Sequence, residues 1–161
     1  MNIFHHLYSN LSYFTYNLSK NLKIKEKNSL RVLMYHDIKK EEYKKFEDQI
    51  NIIKNDGWKF LHPNELFNLS INKKKIKGKN IILTFDDGFH SNSIIEKKIL
   101  AKYKIKAAFF IPYNFMKSKN KNDSLKFVKR QLKIFDYKVE KNGRTNMNLD
   151  DILILSKKKH V

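Results

Sequence analysis

One short stretch, NIILTFDD from Asn80 to Asp87, constrains the fold more than any other part of this chain. Its apolar and β-branched residues run without the three- to four-residue spacing of a surface helix, so it reads as a strand covered on both faces. Such strands belong to parallel sheets, where functional groups collect at the carboxyl ends. This strand ends in two adjacent carboxylates followed by a glycine, Asp86, Asp87 and Gly88.

The flanking pattern supplies the rest of a parallel sheet. RVLMYHDI, from Arg31 to Ile38, reads as a buried first strand with a polar end. Tyr43, Phe46, Ile50 and Ile53 recur at helical intervals between Glu41 and Asp56, and Gly57 supplies a C-terminal stop. WKFLHP gives a short extended piece, Asn64 can cap a helix through ELFNLSI, and INKKKIKGKN reads as a loop. A helix from Ser91 to Tyr103 follows the central strand, with Ile94, Ile95, Ile99 and Leu100 on its inner side. KAAFFIP, from Lys106 to Pro112, reads as another buried strand. This alternation predicts an α/β class with a parallel sheet and right-handed helical crossovers. Beyond Lys117 the pattern weakens to a helix around LKFVKRQLKIF, a loop from Lys138 to Asn148 and an amphipathic helix in LDDILILSKKKHV.

With 161 residues, 41% of them hydrophobic, the chain can bury one core. Residues 1–29 read as an amphipathic helix, with Phe4, Leu7, Leu11, Phe14 and Leu18 on one side, and a basic linker; residues 30–161 form the domain. The helix packs on the domain or lies on a membrane surface, a peripheral contact, although cations are scarce before Lys20. Neither a secretory leader nor a membrane-spanning run is evident, which points to a cytoplasmic or membrane-associated location. Cysteine is absent, so disulfides, thiolate metal sites and a cysteine nucleophile are excluded. The formal charge of +18 is spread along the chain, and arginine occurs only at Arg31, Arg130 and Arg144. That distribution argues for solvated faces and against specific nucleic-acid recognition.

Adjacent aspartates at a strand end point in different directions and take different roles. Two ionised carboxylates a few ångströms apart repel, which a divalent cation or a shared proton offsets. One coherent arrangement pairs a metal ligand with a general base that removes a proton from water. The competing arrangement makes Asp86 and Asp87, or Ser91, simple caps of the next helix. His36 sits at the neighbouring strand end, where a histidine is at least a satisfied structural residue.

TFDDG after an apolar strand, MYHDI about fifty residues upstream and IKAAFFIP downstream resemble the polysaccharide deacetylase family, carbohydrate esterase family four, over roughly residues 30–115. The resemblance implies the first part of a distorted (β/α) barrel and a metal-dependent hydrolase, with zinc as the metal. It would remove N- or O-acetyl groups from an acetylated polysaccharide or oligosaccharide. It assigns Asp86 as catalytic base, Asp87 as metal ligand and His36 to the substrate pocket. The family's H-x-x-x-H ligand pair, its arginine-proline-tyrosine segment and its leucine-x-histidine are not found in this sequence. The expectation is therefore an N-terminal part of a deacetylase with an incomplete metal triad and little activity by itself. The alternative is a non-catalytic protein that binds a glycan or another partner.

Overall fold

A computed structural model describes residues 28–139, 143–159 and 161. The N-terminal amphipathic helix expected before Asn28 lies outside the described residues. The described chain folds around one parallel sheet. Strand β1 (Asn28–Tyr35) leads through a 3₁₀ turn (Lys40–Glu42) into helix α1 (Tyr43–Asn55), strand β2 (Lys59–Phe60) and helix α2 (Pro63–Ile71). Strand β3 (Gly78–Phe85) follows, then one continuous helix, α3, made of His90–Ile95, Glu96–Leu100 and Ala101–Tyr103. Strand β4 (Ala108–Phe109) and helices α4 (Tyr113–Met116), α5 (Lys121–Arg130) and α6 (Leu149–Ser156) complete the order.

β3 is the centre of the sheet. β1 pairs with its full length in parallel, from Asn28 opposite Gly78 to Tyr35 opposite Phe85. A strand has two hydrogen-bonding edges, so β2 and β4 divide the other one: β2 meets Asn80 and Ile81, and β4 meets Thr84 and Phe85. Every residue of β3 from Asn80 onward is buried. Leu83 and Phe85 face the main core with Phe46 and Ile50 of α1 and Ile95, Ile99 and Leu100 of α3. Each such side chain contributes roughly 1.5–3 kcal/mol on burial.

Several local expectations are corrected. β1 is not a buried strand: Val32 and Met34 are each 59% exposed, because among the described residues β1 is paired only on its β3 side and these residues point away from the core. It also begins at Asn28, inside the expected linker. The stretch KAAFFIP forms only two ladder residues, and Phe110 is exposed. The cap of α2 is His62, whose Nδ1 accepts from the Asn64 backbone N–H (3.1 Å), while Pro63 takes the first helical position. Pro63 has no N–H of its own to satisfy there, so the preceding residue takes the capping role. β3 starts at Gly78, two residues before the run that marks it in the sequence.

α3 departs from a regular helix in its middle, where Glu96–Leu100 forms a π turn. The wider turn rotates the following face relative to an α-helical register. Glu96 is 2% exposed and pairs with Lys158 Nζ at 3.6 Å, whereas Ile94, expected inside, is only partly buried. No described helix is long and apolar enough to cross a membrane.

Glu65 ties α2 to β4's approach. Its Oε1 accepts from Lys106 Nζ (2.6 Å) and its Oε2 from the His62 backbone N–H (2.7 Å). The Lys106 hydrogen bond, more than the backbone one, holds the carboxyl below the usual glutamate range. A depressed folded-state pKa adds stability above the ordinary carboxylate range, and that stability is lost as pH falls through the folded value. Because Glu65 is well exposed, Glu65→Gln should cost only about 0.5 kcal/mol at neutral pH. Urea melts across acidic pH should show the gap to wild type closing below the ordinary glutamate range; a gap that persists there would refute the linkage.

Candidate active site

The carboxyl end of β3 runs directly into the two aspartates. The Asp86 backbone N–H donates to the Tyr35 carbonyl at 2.8 Å, extending the β1–β3 ladder by one residue. The chain then turns sharply, with Asp87 at φ +68° and Gly88 at φ +69°. Aspartate tolerates this left-handed region better than most residues, at a cost of about 1 kcal/mol. At Gly88 the constraint is also spatial, since a Cβ there would lie 2.8 Å from Ile111 Cγ2.

This turn carries the Asp87 side chain onto His36, which follows the last residue of β1. His36 Nδ1 and Asp87 Oδ2 are 2.7 Å apart. An ionised carboxylate can only accept, so in this pairing Nδ1 holds the proton and a neutral ring keeps its lone pair on Nε2. His36 is half exposed, whereas the Asp87 side chain is 20% exposed. Asp86 is different. Its Oδ1 is buried and has no hydrogen-bond partner among the described residues, an arrangement that is costly unless a reacting group satisfies it.

Neither aspartate caps α3. Phe89 occupies the N-cap position without a side-chain cap bond, and Ser91 donates elsewhere. Phe89 is fully buried against Phe115 and Tyr137, with ring centroids 5.5 Å away in both cases. An antiparallel bridge joins Phe89 to Asn146: the Met147 N–H donates to the Gly88 carbonyl and the His90 N–H to the Thr145 carbonyl, both at 2.9 Å. The buried Asn92 side chain reaches the Asp86 carbonyl at 3.4 Å. The aspartate loop is thus gripped from both sides, while Tyr35, Phe46, Phe85 and Phe109 form an aromatic floor beneath it. Burial pushes the Tyr35 phenol up to about 12, and its hydroxyl donates to Gln49 Oε1 at 3.0 Å.

Asp37, beside His36, faces the other way. Its carboxylate accepts from Ser91 Oγ (2.6 Å) and Tyr137 OH (2.8 Å) and pairs with Lys39. It joins the end of β1 to the first turn of α3 and to the chain beyond α5. The stretch YHDI shows that polar groups sit here, but Thr145 and Asn146 come from a region that reads only as loop, and Tyr137 stands just before it. Their part depends on contacts across more than fifty residues, which no local pattern encodes.

Of the other histidines, His62 caps α2 and His90 begins α3. Among the described residues no three His, Asp or Glu side chains converge in a way that could hold a metal ion. A catalytic zinc takes three protein ligands, so the described residues do not by themselves fit one. Isothermal titration with Zn²⁺ should therefore reveal no site tighter than about 10 μM; a stoichiometric nanomolar site that is lost in Asp87→Ala would overturn this.

Gly88→Ala should destabilise the fold by roughly 2–3 kcal/mol, combining backbone strain with the Ile111 clash. Gly57→Ala provides the control, because its φ is +81° with nothing within 4 Å of the added Cβ. It should cost about 1 kcal/mol. Equal losses for the two variants in denaturant melts would rule out the clash.

The family profile described as polysaccharide deacetylase matches residues 73–134, the segment that contains β3 and the aspartate loop. YxkH of Bacillus subtilis (strain 168), which bears the polysaccharide deacetylase name, is 30% identical over 95 residues, covering 56% of this chain and 34% of that protein. The structure of IcaB from Ammonifex degensii is similar with a TM-score of 0.51 and 26% identity, covering 58% of this chain and 42% of IcaB. The Streptococcus pyogenes deacetylase PplD, solved in complex with acetate, shares the fold with a TM-score of 0.54 at 18% identity, over 83% of this chain and 53% of PplD. The chain thus spans about a third of the curated relative's length and under half of IcaB's. Through this α/β sheet and its aspartate loop, the chain is similar to the polysaccharide deacetylase family, with the family profile matching over residues 73–134.

Proposed function

We propose that this chain contributes the carboxylate loop of a polysaccharide deacetylase site, acting on acetyl groups of a glycan. The observation that carries the reading is the buried, unpartnered Oδ1 of Asp86 beside the His36–Asp87 pair. In the proposed reaction Asp86 accepts a proton from water as the water oxygen bonds to the acetyl carbonyl carbon. The bond from that carbon to the sugar nitrogen or oxygen then breaks, and the proton ends on the leaving group. His36 fixes the Asp87 carboxylate through its Nδ1–H and borders the place where the sugar enters. Zinc is the cofactor that the resemblance implies, and Asp87 is the ligand that it assigns. Since the described residues fall short of a ligand set, no step is assigned to the metal.

The same shortfall favours a second reading, a protein that holds a glycan without turning it over. The test that separates the two is acetate release from an N-acetylglucosamine oligomer with Zn²⁺ added, with PplD assayed alongside. The chain should work at least ~10²-fold more slowly than PplD, and Asp86→Asn should take its residual rate to background, as for loss of a general base. A rate equal to PplD's would overturn the expected deficiency. A residual rate indifferent to Asp86→Asn would overturn the assignment of the base.

A further inference from the structure

Some cations around the sheet are paired: Lys39 with Asp37, Lys79 with Asp56, Lys102 with Glu47 and Lys106 with Glu65. Between Lys117 and Lys133 there are seven lysines and arginines but one acid, Asp123. That acid is engaged by the Asn120 side-chain amide at the start of α5. Lys119, Lys121, Lys126 and Arg130 have no acidic partner among the described residues. This stretch alone carries a net +6 of the chain's +18.

This face is shaped as well as charged. A cavity of about 290 Å³ opens between the start of α5 and the segment before α6, lined by Ser118, Lys119, Lys121, Arg144 and Thr145 among others. Its volume suits a monosaccharide unit better than a flat surface does. Asn120 and Asn148 also line it; as N-caps of α5 and α6 they bring the positive ends of both helices to its wall. Thr145 is 3% exposed, and its Oγ1 is buried with no hydrogen-bond partner among the described residues. A second groove of about 450 Å³ adjoins through Ser118 and Lys119 and adds Lys126 and Arg130. Tyr113, 61% exposed, stands nearby with Lys117 Nζ 4.8 Å from its ring centre.

The site is joined to the aspartate loop. Asn146 bridges to Phe89, and its side chain accepts from Ser124 Oγ (2.7 Å) and donates to the Met116 carbonyl (3.3 Å). A ligand in the cavity would lie on one side of residues 145–147, and the aspartate loop is hydrogen-bonded to that same segment.

We propose that this cavity and its basic rim form a subsite for an acidic saccharide, one bearing carboxylate or phosphate groups. The inference rests on the glycan reading above and adds the charge class of the polymer. Lys119 and Lys121 neutralise the anion, Thr145 Oγ1 bonds a sugar hydroxyl, and the groove with Lys126 and Arg130 follows the chain to a neighbouring unit. The hydroxyl and amide lining favours a saccharide over a nucleic acid, whose bases would call for several exposed aromatic platforms.

The test is direct binding of a hexameric oligogalacturonate to the chain, with uncharged chitohexaose and a single-stranded oligonucleotide as comparisons. Oligogalacturonate should bind at least ~10-fold more tightly than chitohexaose at low salt, with an affinity that falls as salt rises. Lys119→Glu combined with Lys121→Glu should weaken it ~10-fold or more and flatten the salt dependence. Thr145→Val should weaken it roughly 3- to 10-fold with the salt dependence unchanged, as loss of one hydrogen bond does. Circular dichroism and melting establish that both variants fold, and Lys44→Glu at a distant exposed pair is the charge control. Equal binding of chitohexaose, tighter binding of the oligonucleotide, or indifference to the double substitution would each overturn the proposal. Binding is read without turnover, so failure of Asp86 as a base leaves this result standing, and failure here leaves the deacetylase assay untouched.

Discussion

The structure depends on the burial of β3. With both faces covered and both edges paired, its backbone groups find partners only in parallel neighbours, and its side chains only in helices packed across them. That single requirement orders the chain around it. β1 takes one edge along its whole length, and β2 and β4 share the other. Asp86 inherits its position from the same ladder, because its N–H still bonds to Tyr35. The two carboxylates of the candidate site lie where the ladder stops.

Beyond the strand end, several constraints converge on one short loop. The left-handed turn at Asp87 and Gly88 separates the two carboxylates, sending one to His36 and leaving an oxygen of the other buried and without a partner among the described residues. Two adjacent carboxylates on a flexible loop would turn to water and relax. Here the bridge to Asn146, the Phe89 ring stack and the Ile111 contact at Gly88 leave little room for that. The same contacts that stabilise the fold hold the loop in a conformation that its own residues would not choose.

The electrostatics show a similar division of labour. Lys79, Lys102 and Lys106 near the sheet are matched by carboxylates and serve as struts, whereas Lys119, Lys121, Lys126 and Arg130 have no acidic partner among the described residues and border a polar cavity and its adjoining groove. Partly buried pairs resist screening, and exposed like charges attract polyanions over about a Debye length. The lysines are spread along the whole chain, so which of them border one cavity is visible only in the fold.

The sequence by itself determined the α/β class, the central strand, the helix from Tyr43 and the presence of polar groups at two strand ends. These features arise from periodicity and from adjacent residues, information that a short window contains. The DDG turn and the family resemblance were legible for the same reason. Tertiary structure alone decided that β1 is half exposed, that α3 carries a π turn burying Glu96, and that His62 caps α2. It also decided that Asp37 turns away from His36 to hold Ser91 and Tyr137, and that Thr145 and Asn146 return to clamp the aspartate loop. Those outcomes depend on which distant segments compete for one strand edge or one buried carboxylate, and the free energy of that competition is not written in any local stretch of sequence.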